Sequence, residues 1–193
     1  MVQLEQWRPE IESGKLVVFT LDECHLLWGD LVGYIWGKKD ERIVVPIINQ
    51  RQRQTYFGAL NYRSKEFLVQ PYDKGNSENM IAFLQYLQQQ YPQQRIVVIW
   101  DGASYHRSRE IQTYLDSLNQ GKEPKQWMLT CIRLAPNAPE QNPVEDIWLQ
   151  AKQFIRECYH LCNSFTTVKM LFELVTHQQT FDFPKLHQYG VFS

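Results

Sequence analysis

A chain of 193 residues with 44% hydrophobic residues can bury a substantial single core without disulfides. Its 20 Lys and Arg against 21 Asp and Glu leave a formal charge of −1, which argues against a surface wrapped in nucleic acid and leaves room for a local basic groove. The four cysteines form no C-x-x-C pair, and on a helix Cys158 and Cys162 share a face from which His160 points away, so they read as reduced thiols of an intracellular protein rather than as a zinc cluster.

The first 15 residues, "MVQLEQWRPEIESGK", are charged throughout and lack an apolar signal core, and no later apolar run approaches membrane-spanning length. The expectation is a cytoplasmic protein without a membrane segment, with residues 1–15 as a lead-in to one domain over 16–193. "KLVVFTLDE" (15–23) reads as a short strand, and "WGDLVGYIWG" (28–37) follows after Gly and Asp punctuation. "RIVVPIINQ" (42–50), "QTYFGALNYR" (54–63) and "KEFLVQPY" (65–72) continue a meander.

From Asn76 the period changes. Met80, Leu84, Leu87 and Tyr91 are spaced for one helical face, with Asn76 or Ser77 as the cap and Pro92 as the stop. "RIVVIWD" (95–101) is a continuous apolar strand, as expected where both sheet faces are covered. A helix with Ile111, Tyr114, Leu115 and Leu118 on one side follows, then the strand-like "WMLTCIRLAP" (127–136). Residues 142–159 form a helix with Val144, Ile147, Trp148, Ala151, Ile155 and Cys158 inward, and a last helix begins near Ser164. Strands first, then alternating helices and strands, predict an α/β fold: a mixed central sheet with helices on both faces.

Against that frame Asp101 is out of place, because an ionised carboxylate at the end of a buried strand needs a partner. In such sheets, sites collect at the carboxyl ends of parallel strands, where Asp22 closes "LVVFTLD" as Asp101 closes "IVVIWD". Two close carboxylates relieve their repulsion by sharing a proton or binding a cation, and a third acid favours the cation. Glu145 stands at the third position of its helix if Asn142 is the cap and Pro143 the first residue, and that helix start can aim it at the same spot. An all-oxygen set of this kind suits Mg²⁺ or Mn²⁺, and two such ions about 3.5–4 Å apart are a known device for in-line displacement at phosphorus.

"LDE" after an early strand, "WDGASYHRS" after a later one and "PNAPEQNPVEDIW" opening a helix resemble the three acidic motifs of the DDE transposases in the bacterial insertion-sequence group related to mariner. The resemblance covers roughly residues 16–160. It implies a ribonuclease H-like fold in which Asp22, Asp101 and Glu145 hold two Mg²⁺ or Mn²⁺ ions for DNA strand cleavage and strand transfer. The 44 positions from Asp101 to Glu145 exceed what mariner relatives show, and the excess fits in "NQGKEPKQ" (119–126). Gly102 replaces the Asn that many relatives carry, and "NAPEQNPVE" departs from the commoner third motif; neither change removes a carboxylate. The N-terminal helix-turn-helix region usual in the family cannot be made from 15 residues, so this reads as the catalytic half. The resemblance implies DNA as partner, action as a homodimer, and a separately encoded helix-turn-helix protein as a further partner.

Each acid also has a plainer reading. Asp22 could close a strand, Asp101 could begin a Asp-Gly turn, and Glu145 could complete a capping box with Asn142. Strand alternation sends Asp22 and Glu23 to opposite faces, so one of the two at most is a ligand, and the motif selects Asp22. His106 and Arg107 near a helix start, Lys152 and Arg156 on Glu145's helical stripe, and Arg51 and Arg53 in a loop are the candidate DNA contacts; each could equally be a local hydrogen-bonder or a solvated charge. Two alternatives of the same architecture stay open: a structure-selective or RNA–DNA hybrid nuclease that cuts without joining, and a catalytically silent remnant or accessory subunit.

Overall fold

The computed structural model describes residues 2–32, 38–40, 44, 52–134, 142–184 and 186. Apart from Val44 the expected strand over 42–50, residues 33–37, Arg51 and most of the C-terminal stretch lie outside the described residues, as does the "NAPEQ" part of the third motif.

The meander is β1 (Leu16–Leu27), β2 (Arg53–Asn61) and β3 (Glu66–Tyr72), paired antiparallel. Helix α2 (Ser77–Gln90) leads to β4 (Arg95–Trp100), which pairs parallel with β1 on its other side. Helix α3 (Arg109–Asn119) returns the chain to β5 (Leu129–Arg133), parallel to β4. Helices α4 (Pro143–Glu157) and α5 (Phe165–Thr176) follow, and the two-residue β6 (Gln179–Thr180) pairs with β3. The sheet order is β5-β4-β1-β2-β3-β6.

Alternation along β1 sorts the core into layers. Val17, Phe19 and Leu21 join Met80, Phe83 and Leu84 of α2 and Ile111 of α3. Cys24 and Leu26 point the other way and pack with Val144, Ile147 and Trp148 of α4 and Phe172 of α5. On that same face, nearer the start of the strand, Leu16 and Val18 meet Val97, Ile99 and Ile11.

Three local findings differ from the sequence expectation. The lead-in contains helix α1 (Val2–Glu12), and Ile11 is 5% exposed, because the beginnings of β1 and β4 present an apolar face that something must cover. Strand β1 runs on to Leu27, past the expected end at Glu23, since every residue from Phe19 to Leu27 has a partner on β2. Short β6 carried no apolar pattern; both of its residues are exposed.

Candidate functional site

The parallel pairing of β1 with β4 is recorded from Leu16↔Arg95 to Thr20↔Ile99, after which β4 ends at Trp100. Extending that register by two residues sets Asp101 beside Asp22. Asp22 is therefore not at a strand end: it lies where β1 outruns its parallel neighbour and keeps only its β2 partner, Gly58.

Gly58 has a steric task. A Cβ there would come within 2.3 Å of the Phe67 ring and 2.6 Å of Trp148, so its absence lets α4 settle directly over the sheet at the level of Asp22. The start of α4 is tied to the same place. Asn142, 1% exposed, accepts from the Val144 N–H at 3.2 Å, while its amide donates to the Leu21 carbonyl at 3.2 Å. One buried side chain thus caps the helix and fixes it to the residue before Asp22, and Glu145 projects from the first turn thus held.

The electrostatics show that the three acids share one neighbourhood. The Asp22 carboxyl is pushed up to about 8, first by burial, then by the charge of Glu145, then by that of Asp101. Asp101 moves the opposite way. Its side chain is 51% exposed, and its pKa is lowered chiefly by the hydrogen bond from His106, with the Ala103 N–H donating to Oδ1 at 2.9 Å. Glu23 faces the other side of the sheet, accepts a hydrogen bond from Tyr105, and lies where a Cβ on Gly75 would be 2.2 Å from its Oε2. Tyr105 is pushed upward by burial and by that bond.

His106, expected as a DNA contact, is placed inside. Its side chain is 3% exposed and its ring stacks on Trp100 at 4.2 Å and 7° between planes. Nδ1 lies 3.2 Å from Asp101 Oδ1 and 3.3 Å from the Asp101 carbonyl oxygen. Within the chain, the polar partner of the ring is Asp101.

The match to known proteins decides the family. The model described as DDE superfamily endonuclease matches residues 17–167. The chain belongs to the DDE superfamily endonucleases. No curated protein matches it significantly. Among solved structures, the fold is similar to the Mos1 transposase paired-end complex with left transposon end, at a TM-score of 0.58 and 13% identity, over 98% of this chain and 55% of that one. It is also similar to the Mos1 transposase catalytic domain solved with raltegravir and Mg, at 0.56 and 12%, over 97% and 84%. The intasome of simian T-cell lymphotropic virus gives 0.54 and 9%, over 86% and 50%. The chain spans about half the length of the intasome chain and of the Mos1 transposase chain in its paired-end complex. The fold is ribonuclease H-like α/β, as the sequence predicted.

In this DDE endonuclease domain the remaining basic candidates divide. Lys152 Nζ lies 3.2 Å from Asp30 Oδ2 and donates to the His25 carbonyl at 3.3 Å, and Arg156 Nε donates to the Asp30 carbonyl at 3.0 Å. Both are engaged within the domain, strapping α4 to the turn after β1. Arg107 and Arg53 are exposed, the first by the end of β4 and the second opposite Leu27.

Proposed function

We propose that this chain is the catalytic domain of a transposase, cutting DNA and joining the cut end to a target with two Mg²⁺ or Mn²⁺ ions. The observation that carries the reading is Asp22, whose carboxyl is pushed toward the protonated form first by burial and then by the charges of Glu145 and Asp101. Among the described residues no three His, Cys, Asp or Glu side chains are already gathered around one point. The donor set nevertheless fits a hard divalent ion: three carboxylates, all oxygen, with one of them unable to ionise comfortably until positive charge arrives. Asp22 and Asp101 would hold the ions and Glu145 would complete the second position. When bound, such a pair polarises a phosphodiester and lowers the pKa of the attacking water.

The chain's own residues set the stage for that chemistry. Asp101 stays anionic under the His106 and Ala103 hydrogen bonds and is ready to bind a cation. Asp22 gives up its proton on binding, so uptake of metal should release acid. Asn142 holds the helix that carries Glu145, and Gly58 keeps that helix close. DNA is the proposed substrate, the domain would act as a homodimer, and end recognition would come from a helix-turn-helix protein acting with it.

The test is Mn²⁺ calorimetry on the chain and on Asp101→Ala, beside cleavage of a short duplex with Mg²⁺, Mn²⁺ or chelator. The reading expects binding and chelator-sensitive nicking that both vanish in the variant, with joined products from the native chain. Cutting without joining would leave a nuclease. Equal, negligible metal binding by both folded proteins would leave an inert relative of the family.

A further inference from the structure

We propose that the cleft between α3 and β5, behind Asp101, is a subsite for one unpaired base of the DNA strand being cut. The inference rests on the reading of DNA as substrate and adds to it a place for a nucleotide beside the scissile bond.

The cleft has a volume of about 290 Å³ and is walled by Trp100, His106, Leu115, Trp127 and Leu129. That is just below the roughly 300–1,000 Å³ of small-molecule pockets, room for a base and too little for a duplex. Its walls mix apolar and aromatic surface with polar side chains such as Gln112 and Asn119, and Trp127 is half-buried, leaving indole surface on which a base can stack. Such stacking is tolerant of sequence, because every base has a π-face. Arg107 and Arg133 also line it. A Cβ on Gly102 would be 3.9 Å from the Arg133 side chain, so that cation lies beside the residue following Asp101, where the phosphate of a bound nucleotide would need it.

His106 supplies the independent observation. It is 4% exposed, and its Nε2 is buried with no hydrogen-bond partner. Nδ1 faces two oxygens of Asp101, and a carbonyl oxygen can only accept, so Nδ1 carries the proton. That leaves Nε2 as the ring atom without a partner. Left unmet when buried, such a group is costly, and a complementary polar group arriving in the cleft removes that cost. The polar edge of a nucleobase, which carries donors and acceptors, is such a group, and Asp116 on the same lining offers an acceptor for its N–H. The ring that orients Asp101 on one side thereby reads the presence of a base on the other.

The experiment compares a labelled single-stranded dA pentamer with the same pentamer carrying abasic spacers, by fluorescence anisotropy in EDTA. The base-bearing strand should bind about tenfold tighter, the equivalent of one stacked and hydrogen-bonded base. That preference should disappear in Leu115→Phe, which fills the cleft, and in Trp127→Ala, which removes a half-buried wall without touching the core, while affinity for the abasic strand stays level. In ¹⁵N NMR of the native chain, the His106 Nε2 resonance should move on saturation with the base-bearing strand. Equal binding of the two strands, a preference that survives both variants, or an unmoved Nε2 resonance satisfied by ordered water alone would each overturn the proposal. Because no metal is present, a chain that shows the preference yet neither binds Mn²⁺ nor cuts DNA would lose the proposed function and keep the subsite.

Discussion

Asp22 and Asp101 come from neighbouring parallel strands, yet the fold treats their carboxyls in opposite ways. At Asp22, β1 continues past the acid, α4 closes over it, and burial with two neighbouring charges favours the protonated form. At Asp101, β4 has stopped, the side chain is half exposed, and two hydrogen bonds favour the anion. The difference teaches how the proposed site for a divalent ion would be built from unlike halves, one acid kept charged to attract the ion and one kept neutral until it arrives.

The bluntest way to break the contrast is Asp101→Ala. DNA cleavage should fall by more than the about 100-fold expected from loss of a mere outer partner, with Mn²⁺ affinity falling alongside, as gel assay and calorimetry would show. A second test uses pH on the metal-free protein. Asp22 moves from 3.8 to about 8 in the fold, so the native state holds a proton that the unfolded chain has lost across that interval. Stability should therefore decline as pH rises from about 4 to about 8, by on the order of a few kcal/mol, and Asp22→Asn should flatten the profile in chemical denaturation. A native chain with a flat profile would show that Asp22 is ionised throughout and remove half of the comparison.

The other side of the contrast is sharpened at His106. His106→Phe keeps a ring to stack on Trp100 and removes the donor to Asp101, so Mn²⁺ should bind about 10–100-fold more weakly in a protein that still folds. Gly58→Ala tests how the closed half is made: a methyl group wedged between Phe67 and Trp148 should cost about 1–3 kcal/mol in denaturant titration and lift α4 away from Asp22. The smallest effect is expected from Asp30→Ala. That change removes the partly buried bridge to Lys152, for a loss of about 1 kcal/mol or less in melting experiments.

Much of this arrangement was legible in the residues themselves. The order of strands and helices follows from a switch in apolar period at Asn76, and the caps at Asn76, Asn142 and Ser164 are where the residue types put them. Alternation admitted one of Asp22 and Glu23 at most, with the motif selecting Asp22, and the two do face opposite sides, toward Glu145 of α4 in one case and beside Tyr105 in the other. What could not be read depends on partners far along the chain. The full length of β1 is set by pairing with β2, and nothing local in "CHLL" announces it. The roles of Lys152 and Arg156 turn on Asp30, more than a hundred residues away, so a helical stripe of cations looked free for DNA. His106 was legible as a local hydrogen-bonder, but its burial depends on the Trp100 ring beneath it. Gly58 carried a faint signal, a glycine inside an apolar strand, which marks close approach without saying of what.

The step in the sheet, where β1 continues and β4 does not, makes the site a matter of parity. Successive residues of β1 alternate between two different worlds, one beneath α2 and α3 and one beneath α4, so Asp22 faces the proposed site by virtue of an even count from Leu16. Deleting a single residue between Thr20 and Asp22 would leave every carboxylate in the composition and send this one to the wrong side. A chain with such a lesion could retain most of its core and all three acids while having no place for an ion, a form of silence that an inventory of residues would never detect.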